Sequence, residues 1–128
     1  MFVVTPNITH LYWLLASTAL PYSVVMYSFI ETKLFSRLVT DVLSDEEYAK
    51  VQEALIKDPE AGDLIPGSGG VRKLRWSVAG RGKRGGIRVI YYTRVRRGQF
   101  WMLTLYSKNV RENIPAHVLR QIKEEIDD

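Results

Sequence analysis

Lys73 and Arg75 stand two residues apart, Arg88 follows in a β-branched and aromatic run, and Tyr106 and Lys108 again stand two apart. Residues two apart on an extended chain share a face, so each pair projects together. Between them, AGRGKRGGIRVIYY (Ala79 to Tyr92) adds four glycines and four cations, Arg81, Lys83, Arg84 and Arg88. The chemistry open to such a set is the stabilisation of concentrated negative charge. Arg75 and Arg88 suit bidentate contact with phosphate, and a lysine crowded by like charge, Lys73, Lys83 or Lys108, is a candidate general base. Metal and histidine chemistry have little to work with. Cysteine is absent, and the only two histidines, His10 and His117, lie far apart in the sequence.

The charge is strongly segregated. Residues 71 to 111 hold twelve Lys/Arg and no Asp/Glu, whereas residues 1 to 70 hold four and nine, and residues 112 to 128 hold two and five. A single-sign field of this kind complements a polyphosphate. A merely solubilising surface would mix both signs. The glycine-rich cationic stretch is not a phosphate-binding P-loop, since GxxxxGK[ST] is absent, and it lacks dinucleotide-fingerprint spacing. It reads as a β-hairpin tip whose glycines open backbone conformations closed to other residues and permit close approach by a partner. Arg72, Arg81, Lys83 and Arg84 extend the positive field as candidate backbone-binding residues, each contact adding a salt-dependent increment of affinity.

The elements that must position these residues follow from periodicity. With 46% apolar and 25% charged residues over 128 positions, the chain suits one small globular domain. Residues 27 to 31 form a short strand. Thr32 caps a helix with Leu34, Phe35, Leu38, Val39 and Val42 on one stripe, and Ser44 with Glu47 makes a capping box for a second helix that ends at Lys57 before Pro59. The Gly/Pro-rich stretch 60 to 70 reads as a crossover loop. Three strands follow, over 71–78, 86–95 and 100–108. In the first, Val71, Lys73, Arg75 and Ser77 make a cationic side opposite a core side of Leu74, Trp76 and Val78. A last helix from Pro115 buries Val118, Leu119, Ile122 and Ile126. The order β-α-α-β-β-β-α makes an α+β domain with a mainly antiparallel sheet. Trp76, Tyr91, Tyr92 and Trp101 could stack on bases, but aromatic residues on strands more often belong to a core; Tyr106 shares the cationic face.

No charged residue precedes Glu31. The apolar run Leu11 to Leu20 is too short to span a bilayer, lacks a preceding cation and is bracketed by Pro6 and Pro21. Residues 1–25 therefore read as an apolar extension from an over-long reading frame, with Met26 as the initiator and 26–128 as the domain. A start at Met1 would instead favour membrane association.

LSDEEY (43–48), PGSGGVRKLR (66–75), GKRGGIRVIYY (82–92) and LTLYSKN (103–109) together resemble the RelE/ParE superfamily of bacterial toxins, and most closely its HigB-type members. The resemblance implies a RelE-like fold and a cytoplasmic, ribosome-dependent endoribonuclease that cuts mRNA in the A site. It also implies a type II toxin-antitoxin system with a cognate helix-turn-helix, HigA-like antitoxin, operator DNA being reached only through that antitoxin. In RelE-like nucleases a basic pair on one strand and an arginine on the next contact the scissile phosphate; the matching residues here are Lys73, Arg75 and Arg88. Where the family places an arginine and then a tyrosine beyond the last strand, this chain has Asn109 and Pro115, which leaves Lys108 and Tyr106 as substitutes. RNA supplies its own 2′-hydroxyl nucleophile, so no cofactor and no metal is required. Two other readings share the fold or the charge: a ParE-like gyrase inhibitor, and a non-catalytic module that binds RNA or ribosomes.

Overall fold

The computed structural model describes residues 27–78, 86–108 and 114–127. The apolar extension, the hairpin tip with Arg81, Lys83 and Arg84, and Asn109 lie outside the described residues. Strand β1 (Ser28–Glu31) leads into helix α1 (Lys33–Val42) and helix α2 (Asp45–Lys57). Strands β2 (Asp63–Leu64), β3 (Arg72–Ser77), β4 (Gly86–Arg94) and β5 (Gln99–Ser107) follow, and α3 (Ala116–Asp127) closes the domain.

Both expected caps form. The Thr32 hydroxyl accepts the Phe35 N–H at 3.0 Å and donates to the Leu103 carbonyl at 2.7 Å, so one side chain starts α1 and ties it to β5. Ser44 accepts the Glu47 N–H at 3.1 Å, and Asp45, Glu46 and Glu47 place negative charge at the positive end of the α2 dipole. The Glu47 carboxylate turns to the Trp76 indole N–H at 3.4 Å and to Lys50.

The sheet order is β1-β5-β4-β3-β2, with β1 parallel to β5 and the other neighbours antiparallel. The stretch read as a plain crossover loop contains β2, whose two residues pair with Lys73 and Arg72. Its pairing stops where the chain turns back: Ile65 N–H donates to Val71 O at 2.9 Å, and Ser68 bridges Ile65 O and Val71 N–H. Gly69 and Gly70 take left-handed φ values of 80° and 118° there, and Gly70 lies under the Tyr92 ring.

Each face of the sheet carries its own core. Helices α1 and α2 bury Phe35, Val39, Tyr48, Val51 and Leu55 against Leu74, Val89, Tyr91, Phe100, Met102 and Leu105. On the opposite face, Leu119 and Ile126 of α3 cover Val71, Ile90 and Leu103. Strict alternation along β5 is broken by a bulge. Ile90 pairs with Thr104 and Tyr91 with Met102, leaving Leu103 as the extra residue. That extra residue lets Leu103 and Tyr106 join the α3 side while Met102 and Leu105 join the other. The side of β3 expected to be wholly cationic is thus half core: Val71 is fully buried, because the apolar stripe of α3 needs a base on that side.

Candidate functional site

The register of the three long strands sets Arg75 directly opposite Arg88, and Arg88 directly opposite Tyr106. With strands about 4.8 Å apart, this row runs roughly 10 Å across the sheet. Lys73 lies two residues from Arg75 on the same face of β3, in the row of Ile90 and Thr104. At the other end, Ser77 pairs with Gly86, and Lys108 closes the row through its N–H to Gly86 O at 2.8 Å. A side chain on Gly86 would stand 3.2 Å from Arg88 Nη1 and 3.9 Å from Lys108 Cβ, so the guanidinium lies over the bare glycine on the Lys108 side. Lys73, Arg75, Arg88, Tyr106 and Lys108 are therefore brought onto one patch. Arg75 and Lys108 are exposed, and the other three are half-buried.

Among the described residues the patch is uncovered, because α3 packs over the other end of the face. The helix lies over the Val71 end of the face, where its C-terminus is clamped. Tyr92 donates to Asp127 at 3.0–3.1 Å, Lys123 reaches Asp127 at 2.9 Å, and Arg94 donates to Ile126 O at 3.0 Å. Burial pushes the Asp127 carboxyl up, but hydrogen bonds from Lys123 and Tyr92 outweigh it and hold the group below its ordinary range. The same contacts raise the other two: the Tyr92 hydroxyl through burial and its bond to Asp127, and the Lys123 amine through its bond to Asp127. Tyr106 marks the boundary, its ring packed against the α3-side core while Arg88 stands beside it.

Two arginines directly opposite one another repel, at a cost of about 0.2–1 kcal/mol. Among the described residues, no carboxylate pairs with Lys73, Arg75, Arg88 or Lys108 to offset this. A bound anion would. The geometry suits a phosphate held between Arg75 and Arg88, with the Tyr106 phenol one strand away and the Lys73 and Lys108 amines on the rows either side for proton transfer. Thr104, 1% exposed, adds a buried hydroxyl with no hydrogen-bond partner among the described residues.

Other expected site residues go elsewhere. Arg72 turns to the loop before β2, donating to Gly62 O at 2.8 Å with Glu60 at 3.8 Å, and does not join Lys73 and Arg75. The aromatic residues weighed for stacking serve the core. Tyr91 is fully buried and donates to Pro59 O at 2.8 Å while accepting from Gly62 N–H at 2.9 Å; burial raises its hydroxyl pKa. Trp76 packs toward α2, and Tyr92 and Trp101 pack against α3. The Pro115 carbonyl accepts from Val118 and Leu119, so this residue opens α3. No helix among the described residues is long and apolar enough to cross a membrane. Nor do the described residues include a cluster of three or more His, Cys, Asp or Glu able to hold a metal ion.

Residues 28–126 match the family model described as the RelE toxin of the RelE / RelB toxin-antitoxin system. The chain belongs to the RelE toxin family. The match runs from the first residue of β1 into the last turn of α3, so the whole sheet and the entire cationic patch of this RelE-family toxin fall within it. The α+β architecture agrees with the family assignment.

Proposed function

We propose that this RelE-family toxin is a HigB-type, ribosome-dependent endoribonuclease that cleaves mRNA in the A site without a metal. The observation that carries the reading is the Arg75–Arg88 pair, uncompensated by any carboxylate among the described residues, aligned with Tyr106 and flanked by Lys73 and Lys108. Arg75 and Arg88 hold the scissile phosphate and stabilise the extra charge of the phosphorane. The ribose 2′-oxygen attacks phosphorus while a base takes its proton; the P–O5′ bond breaks and an acid protonates O5′, leaving a 2′,3′-cyclic phosphate. Lys73, Lys108 and Tyr106 are the groups placed to move these protons. Arg81, Lys83 and Arg84, in the stretch between β3 and β4, grip RNA backbone.

The resting toxin is held in the cytoplasm by a helix-turn-helix, HigA-like antitoxin, through which alone it reaches operator DNA. The test is to incubate purified protein with ribosomes and a defined mRNA, with and without EDTA, and to analyse the new 3′ ends. Cyclic phosphates at A-site positions, unaffected by EDTA, are expected. Intact message on toxin-bound ribosomes would make the protein a binding module, and DNA damage without cut message would make it a gyrase poison.

A further inference from the structure

The β4–β5 turn carries a second cationic feature at the far end of the sheet from the Arg75–Arg88 row. Arg96 and Arg97 occupy the single 3-10 turn Val95–Arg97, and both are exposed. Neither pairs with a carboxylate among the described residues, whereas their neighbour Arg94 is committed to Ile126 O and Asp127. Asp127 is the acidic side chain bound at this end, and Tyr92 and Lys123 already occupy its oxygens.

The turn is firmly held. Gly98, at φ 64°, donates to Val95 O at 2.9 Å and accepts the Ser28 N–H of β1 at 2.7 Å, so β1, β4 and β5 all anchor it. Val95 beside the arginines is 52% exposed, one of two large apolar side chains so placed among the described residues. Six residue steps along β4 carry the chain from Arg88 to Arg94, roughly 20 Å. That is about two and a half times the screening length, about 8 Å, at physiological salt. The two patches therefore act on different stretches of polyanion.

We infer that Arg96 and Arg97 form a second RNA-backbone contact, which grips phosphates of ribosomal RNA while the Arg75–Arg88 row engages the message. This rests on the ribosome-dependent reading above. The charge favours RNA over an acidic protein segment: guanidinium groups match phosphate oxygens bidentately, and no acidic residue lies anywhere from 71 to 111 to set a mixed-sign register with a protein partner.

The experiment compares the unmutated protein with the double variant Arg96→Gln/Arg97→Gln, both exposed positions where folding is unaffected. Pelleting with purified ribosomes is measured from about 0.05 to 0.3 M salt. Loss of two phosphate contacts should lower the slope of log affinity against log salt by about 1.4–1.8 and weaken binding about 25- to 60-fold at 0.1 M salt. Binding of a short mRNA oligonucleotide to the free protein should be unchanged. If the unmutated protein cuts message on ribosomes and the variant keeps its affinity and slope, the inference fails and the cleavage reading stands. Should the unmutated protein not bind ribosomes at all, both fall. A variant that loses only antitoxin affinity would make the turn a protein-docking site and overturn the inference.

Discussion

Replacing Arg88 by Gln should move activity and stability in opposite directions. Arg88 is the middle member of the row, opposite Arg75 on one side and Tyr106 on the other. Glutamine keeps most of the side-chain stem and removes the charge. Loss of one preorganised charged donor to a phosphorane should cost about 2.7–4 kcal/mol in the transition state, a 10²- to 10³-fold fall in single-turnover cleavage on ribosomes. Removing the repulsion with Arg75 should return about 0.2–1 kcal/mol to the fold, raising the melting temperature by roughly 1–6 °C for a domain of this size. Thermal unfolding followed by circular dichroism, beside a cleavage assay on the same preparation, reads both quantities. Unchanged cleavage would remove Arg88 from the chemistry. Lowered activity with a collapsed melting temperature would mean that Arg88 is a structural residue and that the uncompensated-pair reasoning is wrong.

Among the proton-transfer candidates, Tyr106→Phe or Lys108→Ala should lower cleavage about 10²- to 10⁴-fold and flatten one limb of the pH–rate profile, with ribosome binding kept; full activity in both variants would leave Lys73 to be tested. Thr32→Ala should destabilise the fold by about 1–3 kcal/mol in urea unfolding, since it removes the α1 cap and strands the Leu103 carbonyl. Asp127→Asn should cost about 1 kcal/mol and make stability less dependent on pH. The Asp127 carboxyl is held below its ordinary value, so its contribution is present above about pH 4 and is lost as pH falls through the depressed native value. The Lys123 amine is raised, so its contribution persists below its ordinary value, about 10.4, and is lost as pH rises through the raised native value. Melting curves across pH for wild type and Asp127→Asn check both signs, and parallel curves would show that the clamp contributes nothing.

The local elements were legible because their signals are local. Thr32 and Ser44 cap their helices within three residues, and the stripe Phe35–Val39 needs only helical spacing. Lys73 and Arg75 share a face because a strand alternates, and the charge segregation is visible without any structure. That much the chain carries in its own order: the elements, the extent of the cationic block and the residues able to bind phosphate.

Tertiary structure decided which of those residues meet. The Arg75–Arg88–Tyr106 row depends on the registers of two strand pairs, and register is a long-range property that alternation alone leaves free. The bulge at Leu103 changes which side chains of β5 face α3, through one extra residue that no composition reveals. Arg72, one residue from Lys73, is drawn to the 60–62 loop because that loop is carried past it by β2, a two-residue strand too short to leave a periodic signal. Helix α3 divides one sheet face into core and open cationic patch, so neighbouring residues such as Val71 and Lys73 acquire opposite roles. Sequence order supplied the charges, whereas packing on both faces of the sheet determined where they could be left uncovered.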